Sequence, residues 1–385
     1  MPLLFDLEAL NARQTDDALD YIFKAVGHDH GGDGIWEPHD NPFLTRMVQL
    51  FTDRGLARID EVRDELNAWL KGERHEAGPA LARPIEAWQP LGRQELGVVK
   101  LYLQHLPPGA WTLDDHMLLI DYLQSRYFDP TDLRTESEWL ATRGAIMGRV
   151  QASMARATAA QADAVLAGLP NTVEQALLTW SWKPAQRQVL QFAQHRAADA
   201  VTRVSDGMRS HLRQTIAGAV ERAQMAGRPV WSTELETELR DGFALQNRDW
   251  RRVALTEAGE ALNQGYIASL EPGAHVKRLE QYKGVCPFCA KIDGVVARVT
   301  SADDPDKDGE TDIWPGKNNV GRSAAPRKRV GTLLVEREPH ERWWLPAGLA
   351  HPNCRGRWLP VIEDQPGDDP DFAAYLRQTL GGAKA

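Results

Sequence analysis

The tightest constraint on this chain is where its three cysteines fall. All lie within 285–359, as Cys286-Pro-Phe-Cys289 and, some sixty residues later, His351-Pro-Asn-Cys354-Arg355. Paired donors two residues apart on a tight turn bite one ion from the same side, and two such pairs complete the tetrahedron that zinc takes from thiolate and imidazole ligands. The stretch between them is rich in Gly, Pro and charge. A small segment of that kind buries too little apolar surface to hold itself, so a metal crosslink supplies what a core would give. The competing readings are three buried thiols beside a surface histidine, or a Cys286–Cys289 disulfide, which fits poorly with a chain that shows no secretory segment.

At 385 residues, with 42% hydrophobic and 26% charged side chains, the chain has room for two or three domains of an ordinary globular type. Its start, Met1-Pro-Leu-Leu-Phe-Asp, lacks a basic lead and a sustained apolar run, and no later run approaches the length of a membrane span. The expectation is a protein made in the cytoplasm, with no membrane partner. Charge is uneven: residues 1–150 carry 15 Lys and Arg against 25 Asp and Glu, while the remainder is balanced at 30 against 29. That excludes general coating of nucleic acid and leaves room for a local basic site in the second half.

The expected fold class is α+β, mainly helical over the N-terminal two thirds, with a small mixed α/β domain after it. The boundaries drawn are 1–134 (helical region), 135–270 (long-helix region), 271–362 (zinc-stapled domain) and 363–385 (polar tail with a short helix, Phe372 to Leu380). Apolar spacing predicts a helix over 44–70, and Thr112 caps another that runs toward Tyr127. An Ala-rich helix covers 135–169. From Leu190 to Ala223 apolar residues recur in steps of three and four, a narrow and partly small-residue stripe suited to lying against another helix. Gly227-Arg-Pro229 ends it. Thr233 and Glu236 form a capping box for a short helix through Leu239, and a separate helix is expected around Trp250 to Gly265. Glu257 and Glu260 share a face of that helix; they are read as solvated acids rather than an acid–base pair. Short β-like runs follow at 275–279, 294–299, 331–335 and 357–362. His28, Asp29, His30, Asp33 and His39 crowd a Gly-rich loop, which is read as solvated rather than as a ligand set.

From about Gln186 to Ile362 the chain resembles the minor head proteins of tailed bacteriophages, the phage Mu F-like or head-morphogenesis family. The likeness rests on the long helix followed by Gly227 and a capped helix, on the helix with Thr256-Glu257 and Asn263, and on the terminal pattern Cys286-x-x-Cys289, Asp293-Gly294, His351-Pro-Asn-Cys354-Arg355. Two departures stand out. Leu255 takes the place of an Arg common before Thr-Glu, and Gly356 that of a second Cys after Arg355. With only three cysteines, His351 becomes the fourth donor, and a site so filled has no open position and is structural. The resemblance implies a low-copy, non-enzymatic part of the phage head, located in the virion, contacting portal and capsid proteins and in some cases packaged DNA. The rival is a metal-dependent nuclease or toxin-like domain, of a kind that travels with this family.

Two further signals lie between the ligand pairs. Asp304, Asp306 and Asp308 match the opening of a calcium loop, but its twelfth position is Pro315 where a bidentate Glu is needed. Lys317, Arg322, Arg327, Lys328 and Arg329 form a basic cluster able to neutralise phosphates, or to pair with nearby acids; pairing or solvation is the favoured outcome. Trp343 and Trp344 are adjacent, so at least one is expected at an interface or over the metal loop.

Overall fold

The computed structural model describes residues 42–84, 91–153, 164–165, 167–282, 284–352, 354–361 and 378. The His28–His39 loop, the part of the Ala-rich helix over 154–163 and nearly all of the 363–385 tail lie outside them. The chain is α+β: long helices first, then a small mixed sheet. No helix among the described residues is long and apolar enough to cross a membrane.

The helices are α1 (Pro42–Leu70), α2 (Arg93–His105), α3 (Leu113–Tyr127), α4 (Pro130–Ser153), α5 (Val173–Thr179), α6 (Pro184–Ala226) and α7 (Thr233–Ser269). The cap at Thr112 forms as the sequence demands: its hydroxyl accepts from the Asp115 amide, and the Asp115 carboxylate returns the bond to the Thr112 N–H at 2.8 Å. Beyond Ala226 the chain turns back through the Arg228 amide, which donates to the Ala223 carbonyl. The two helices expected over 233–239 and 250–265 are one helix of 37 residues. Asp241-Gly242 offers a turn signal there, but Phe243, Ala244 and Trp250 supply a buried face that carries the helix across it.

Two compact units emerge, each assembled from distant parts of the chain. One combines Thr52–Arg134 with Asp199–Arg251. Its core is apolar and helical, with Leu66, Trp69, Leu103, Leu119, Leu212 and Trp250 almost fully buried. Trp250 meets Phe128 edge-on at 5.8 Å, a favoured aromatic geometry. Inside this unit Asp121 is held by Arg209 and Arg213 at 2.8 and 2.9 Å.

The other unit combines Thr135–Ala198 with Arg252–Ala385. Here α4 and the C-terminal half of α7 approach closely enough that a Cβ on Gly148 would run into the Leu262 carbonyl oxygen, so only glycine fits. Ala141, Ala193, Ala197 and Ala261 make a second small-residue contact among α4, α6 and α7. This is the use the Ala-rich stripe of α6 implied. Glu257 and Glu260 are not solvated. Both are buried and converge on Arg196 of α6, at 3.0 and 3.3 Å.

The sheet of this unit runs β3-β2-β1-β6, from β1 (His275–Leu279), β2 (Val296–Val299), β3 (Asp312–Ile313) and β6 (Arg357–Pro360). The central strand β1 pairs antiparallel with both neighbours, Val276 standing opposite Ala297 on one side and Pro360 on the other. Val276, Ala297, Val299 and Trp358 turn inward onto Tyr266 and Ile267 from the end of α7 and onto Leu270 just beyond it. A separate hairpin, β4 (Arg327–Val330) with β5 (Leu333–Glu336), stands exposed.

Candidate metal centre

Each ligand pair is delivered by a local device. Cys286 is the N-cap of α8 (Pro287–Ile292), its Sγ accepting from the Cys289 amide at 3.4 Å, and Pro287 at the first helical position presets the turn. One turn of helix therefore sets both thiols on the same side. The second pair rides a loop fixed from above: the Leu349 amide donates to Glu260 at 2.5 Å, and Asn319 donates to the Ala350 carbonyl at 3.1 Å. From there the Cys354 amide turns back to the His351 carbonyl. Trp343 lies stacked on the His351 ring at 5.4 Å, with Phe288 edge-on to Trp343 at 5.2 Å. So one of the adjacent tryptophans does cover the cysteine loop.

Cys286, Cys289 and His351 come together within 4.8 Å, and Cys354 joins them through Cys289. His351 Nε2 lies 3.2 Å from Cys286 Sγ and 3.3 Å from Cys289 Sγ, and Cys289 Sγ lies 3.7 Å from Cys354 Sγ. Bond lengths to zinc of about 2.3 Å for sulfur and 2.0 Å for nitrogen give tetrahedral edges of about 3.8 and 3.5 Å. The three measured edges sit close to those lengths. His351 Nδ1 is 2.8 Å from the Pro352 carbonyl, which takes an N–H there and leaves Nε2 with a free lone pair facing the thiols. The donors form two overlapping triads that share Cys289, each with its ligand atoms within 4.8 Å: Cys286, Cys289 and His351, and Glu280, Cys289 and Cys354. All three cysteines are free of disulfides. The cluster could bind a metal ion such as zinc.

Glu280 is the member that sequence reasoning missed. It lies two residues beyond Arg278 on and just past β1, where alternation places both on one face, but nothing in the spacing ties either to the cysteines. Arg278 and Glu280 are fully buried and paired at 2.7 Å. Burial pushes the Glu280 carboxyl up to about 7, against the pull of Arg278 and with the Cys354 sulfur adding to it. Cys354 is held well below the thiol range by its hydrogen bond with Cys289, and the Arg278 guanidinium adds to this against the effect of burial. That same hydrogen bond, with burial behind it, pushes Cys289 up. Gly356 belongs here too: a Cβ at that position would collide with the Glu280 carboxylate, so the glycine and the buried acid go together.

The calcium and nucleic-acid candidates fare differently. Asp304, Asp306 and Asp308 do not converge as ligands among the described residues. Asp304 accepts from the Thr300 hydroxyl and the Asp306 amide, Asp308 accepts from the Glu310 amide, and the Lys307 ammonium occupies the loop, donating to the Ala302 and Asp304 carbonyls. In the basic cluster, Lys317 is buried between Trp314 and Trp344, 4.6 and 4.8 Å from their rings, and donates to the Gly309 and Asp312 carbonyls. Burial pushes its ammonium down to about 8. Arg322 lies over Trp344 at 3.6 Å, Arg327 pairs with Glu336 at 2.8 Å, and Lys328 pairs with Glu341. Of the five, Arg329 alone is exposed with no ion pair among the described residues. Four of the five are thus engaged in contacts within the chain, while Arg327 and Arg329 keep exposed side chains on the hairpin.

Comparison with protein-family models, with curated proteins and with solved structures finds no match to this chain.

Proposed function

We propose that this chain is a minor head protein of a tailed phage or prophage, acting in head morphogenesis through contacts with portal and capsid proteins, and that Cys286, Cys289, His351 and Cys354 hold a structural zinc ion. The observation that carries the reading is the approach of two ligand pairs, 62 and 65 residues apart, with donor atoms 3.2, 3.3 and 3.7 Å from one another across the pairs, in the order Cys-x-x-Cys, Asp-Gly, His-Pro-Asn-Cys-Arg on which the family resemblance rests. Three thiolates and an imidazole fill the shell of zinc, so the ion crosslinks the module rather than activating water. The paired acids that an enzyme reading would enlist, Glu257 and Glu260, are tied to Arg196 beneath the surface, which favours a structural role for them.

The test has two parts. Purified native protein should carry close to one zinc per chain, and Cys354→Ser should carry much less. In the phage or induced prophage that encodes it, the protein should co-purify with heads at low copy; particles that lack it would defeat the virion assignment while leaving the metal assignment intact.

A further inference from the structure

The two overlapping triads pose a question that the zinc reading leaves open: which set of donors the ion takes. Glu280, Cys289 and Cys354 are all buried, and a carboxylate with two thiolates is a competent ligand set. With the zinc reading as premise, we infer that Arg278 decides the matter, holding Glu280 out of the metal shell so that Cys354 completes the site with Cys286, Cys289 and His351.

The contacts of the guanidinium support this. Arg278 sits on β1 with no exposed surface, and both Nε and Nη2 lie 2.7 Å from Glu280 Oε1. Its third nitrogen donates to the Gly348 carbonyl at 2.9 Å, and its planar face lies over Trp358 at 5.2 Å. The guanidinium is therefore held on three sides and cannot swing away. An ion drawn toward Glu280 would meet a fixed positive charge that already occupies one carboxylate oxygen, Oε1, while the other, Oε2, lies 3.5 Å from Cys354 Sγ. On the other side Arg278 Nη2 stands 4.0 Å from Cys354 Sγ, and the Tyr282 hydroxyl 3.6 Å, both favouring a thiolate there. Since Gly348 lies three residues before His351, the same side chain also anchors the loop that carries the second ligand pair. Arg278 touches no metal; it is a positioning and selecting residue.

Cobalt(II), titrated into the full chain, reads this directly, because thiolate-to-cobalt charge transfer scales with the number of thiolates and the visible bands are strong only for a tetrahedral ion. Wild type should show a tetrahedral spectrum of three-thiolate intensity. Arg278→Met should bind cobalt 10- to 100-fold more weakly, the usual range for loss of a group that orients ligands, with weakened visible bands as the freed Glu280 carboxylate enters the shell. The double variant Arg278→Met with Glu280→Gln should recover the tetrahedral spectrum. Wild-type affinity and spectrum in Arg278→Met, or no recovery in the double variant, overturns the inference with the metal reading still standing. Should Arg278→Met fail to fold, Glu280→Gln alone decides: an unchanged spectrum places Glu280 outside the shell, and a changed one overturns the inference. Absence of any cobalt bands in wild type removes both readings.

Discussion

The helical unit built from Thr52–Arg134 and Asp199–Arg251 and the sheet module at 271–361 solve the same problem by opposite means. In the first, large apolar side chains recur at helical spacing and bury one another: Leu66, Trp69, Leu103, Leu119, Leu212 and Trp250 leave almost no surface. In the second, strands of two to five residues carry little apolar area, and the largest buried side chains include Arg278 and Lys317 beside Trp358. Each buried charge there is fully engaged, Arg278 by Glu280, Gly348 and Trp358, Lys317 by two carbonyls and two tryptophans. Such groups are costly to leave unpaired, so they fix a single arrangement more than they stabilise it. The lesson is that a module short of core depends on directional contacts, to which the proposed metal would add a crosslink.

The sharpest way to break this comparison is to remove the proposed metal crosslink. Cys289 is the donor common to both triads, so Cys289→Ser should abolish high-affinity metal binding and loosen the sheet module. A structural zinc site contributes on the order of 10 kcal/mol to the fold it closes. Near-ultraviolet circular dichroism should lose the signal of the Trp343 ring stacked on His351, while the far-ultraviolet helical signal changes little. Strong chelation of wild type should reproduce the effect. A variant with intact tryptophan signal and wild-type exchange protection over 275–299 would show that the module stands without metal.

The reverse experiment strikes the helical unit. Trp250 is completely buried and edge-on to Phe128, so Trp250→Ala should cost about 3–5 kcal/mol. Metal stoichiometry and affinity should stay at wild-type values, because the ligands are fixed by contacts among residues 260–358. Differential scanning calorimetry beside a chelator-competition assay separates the two. Loss of metal affinity in this variant would show that the two regions fold as one cooperative system.

How much was legible in the residues alone follows the same division. Helix periods at 44–70 and 190–223 and the Thr112 cap are local in sequence, and each forms where the residues require it. The metal cluster was legible because ligand chemistry singles out cysteine and histidine wherever they fall. The β-like runs at 275–279 and 357–362 likewise appear as β1 and β6. What could not be read was pairing between polar residues far apart in the chain. Glu257 and Glu260 have the look of solvated acids until Arg196, some sixty residues earlier, is brought against them. Lys317 has the look of a phosphate contact until Trp314 and Trp344 close around it, and β4 is a run of three cations whose strand character comes from its partner β5. Charge gives no period, so burial of a charge is a property of the tertiary fold alone.

The smallest expected effect concerns pH, and it sharpens the comparison by showing where the two regions do not differ. Asp115 in the helical unit is buried, which alone would raise its carboxyl, but bonds from Thr112, Tyr102 and Arg83 outweigh this and hold it below the ordinary 3.8. Its folded value is depressed, so its contribution to stability is present above that range and is lost as pH falls through the folded value. Glu257 has the opposite balance: burial raises it above 4.5, with Glu260 adding to the effect and Arg196 opposing it. Its contribution is full below 4.5 and declines as pH rises through the raised folded value. Asp121, which belongs with Asp115 in the helical unit, has the sign of Glu257, because burial there outweighs Arg209 and Arg213. The sign thus follows the number of donors each carboxylate gathers and not the region that holds it. Stability measured by urea unfolding between pH 3 and 6 should show this by substitution. Asp115→Asn, at a cost of about 1–3 kcal/mol near neutrality, removes a slope that rises with pH. Glu257→Gln should remove one that falls. Slopes of the same sign in both variants would mean that these two carboxylates share one balance of donors against burial.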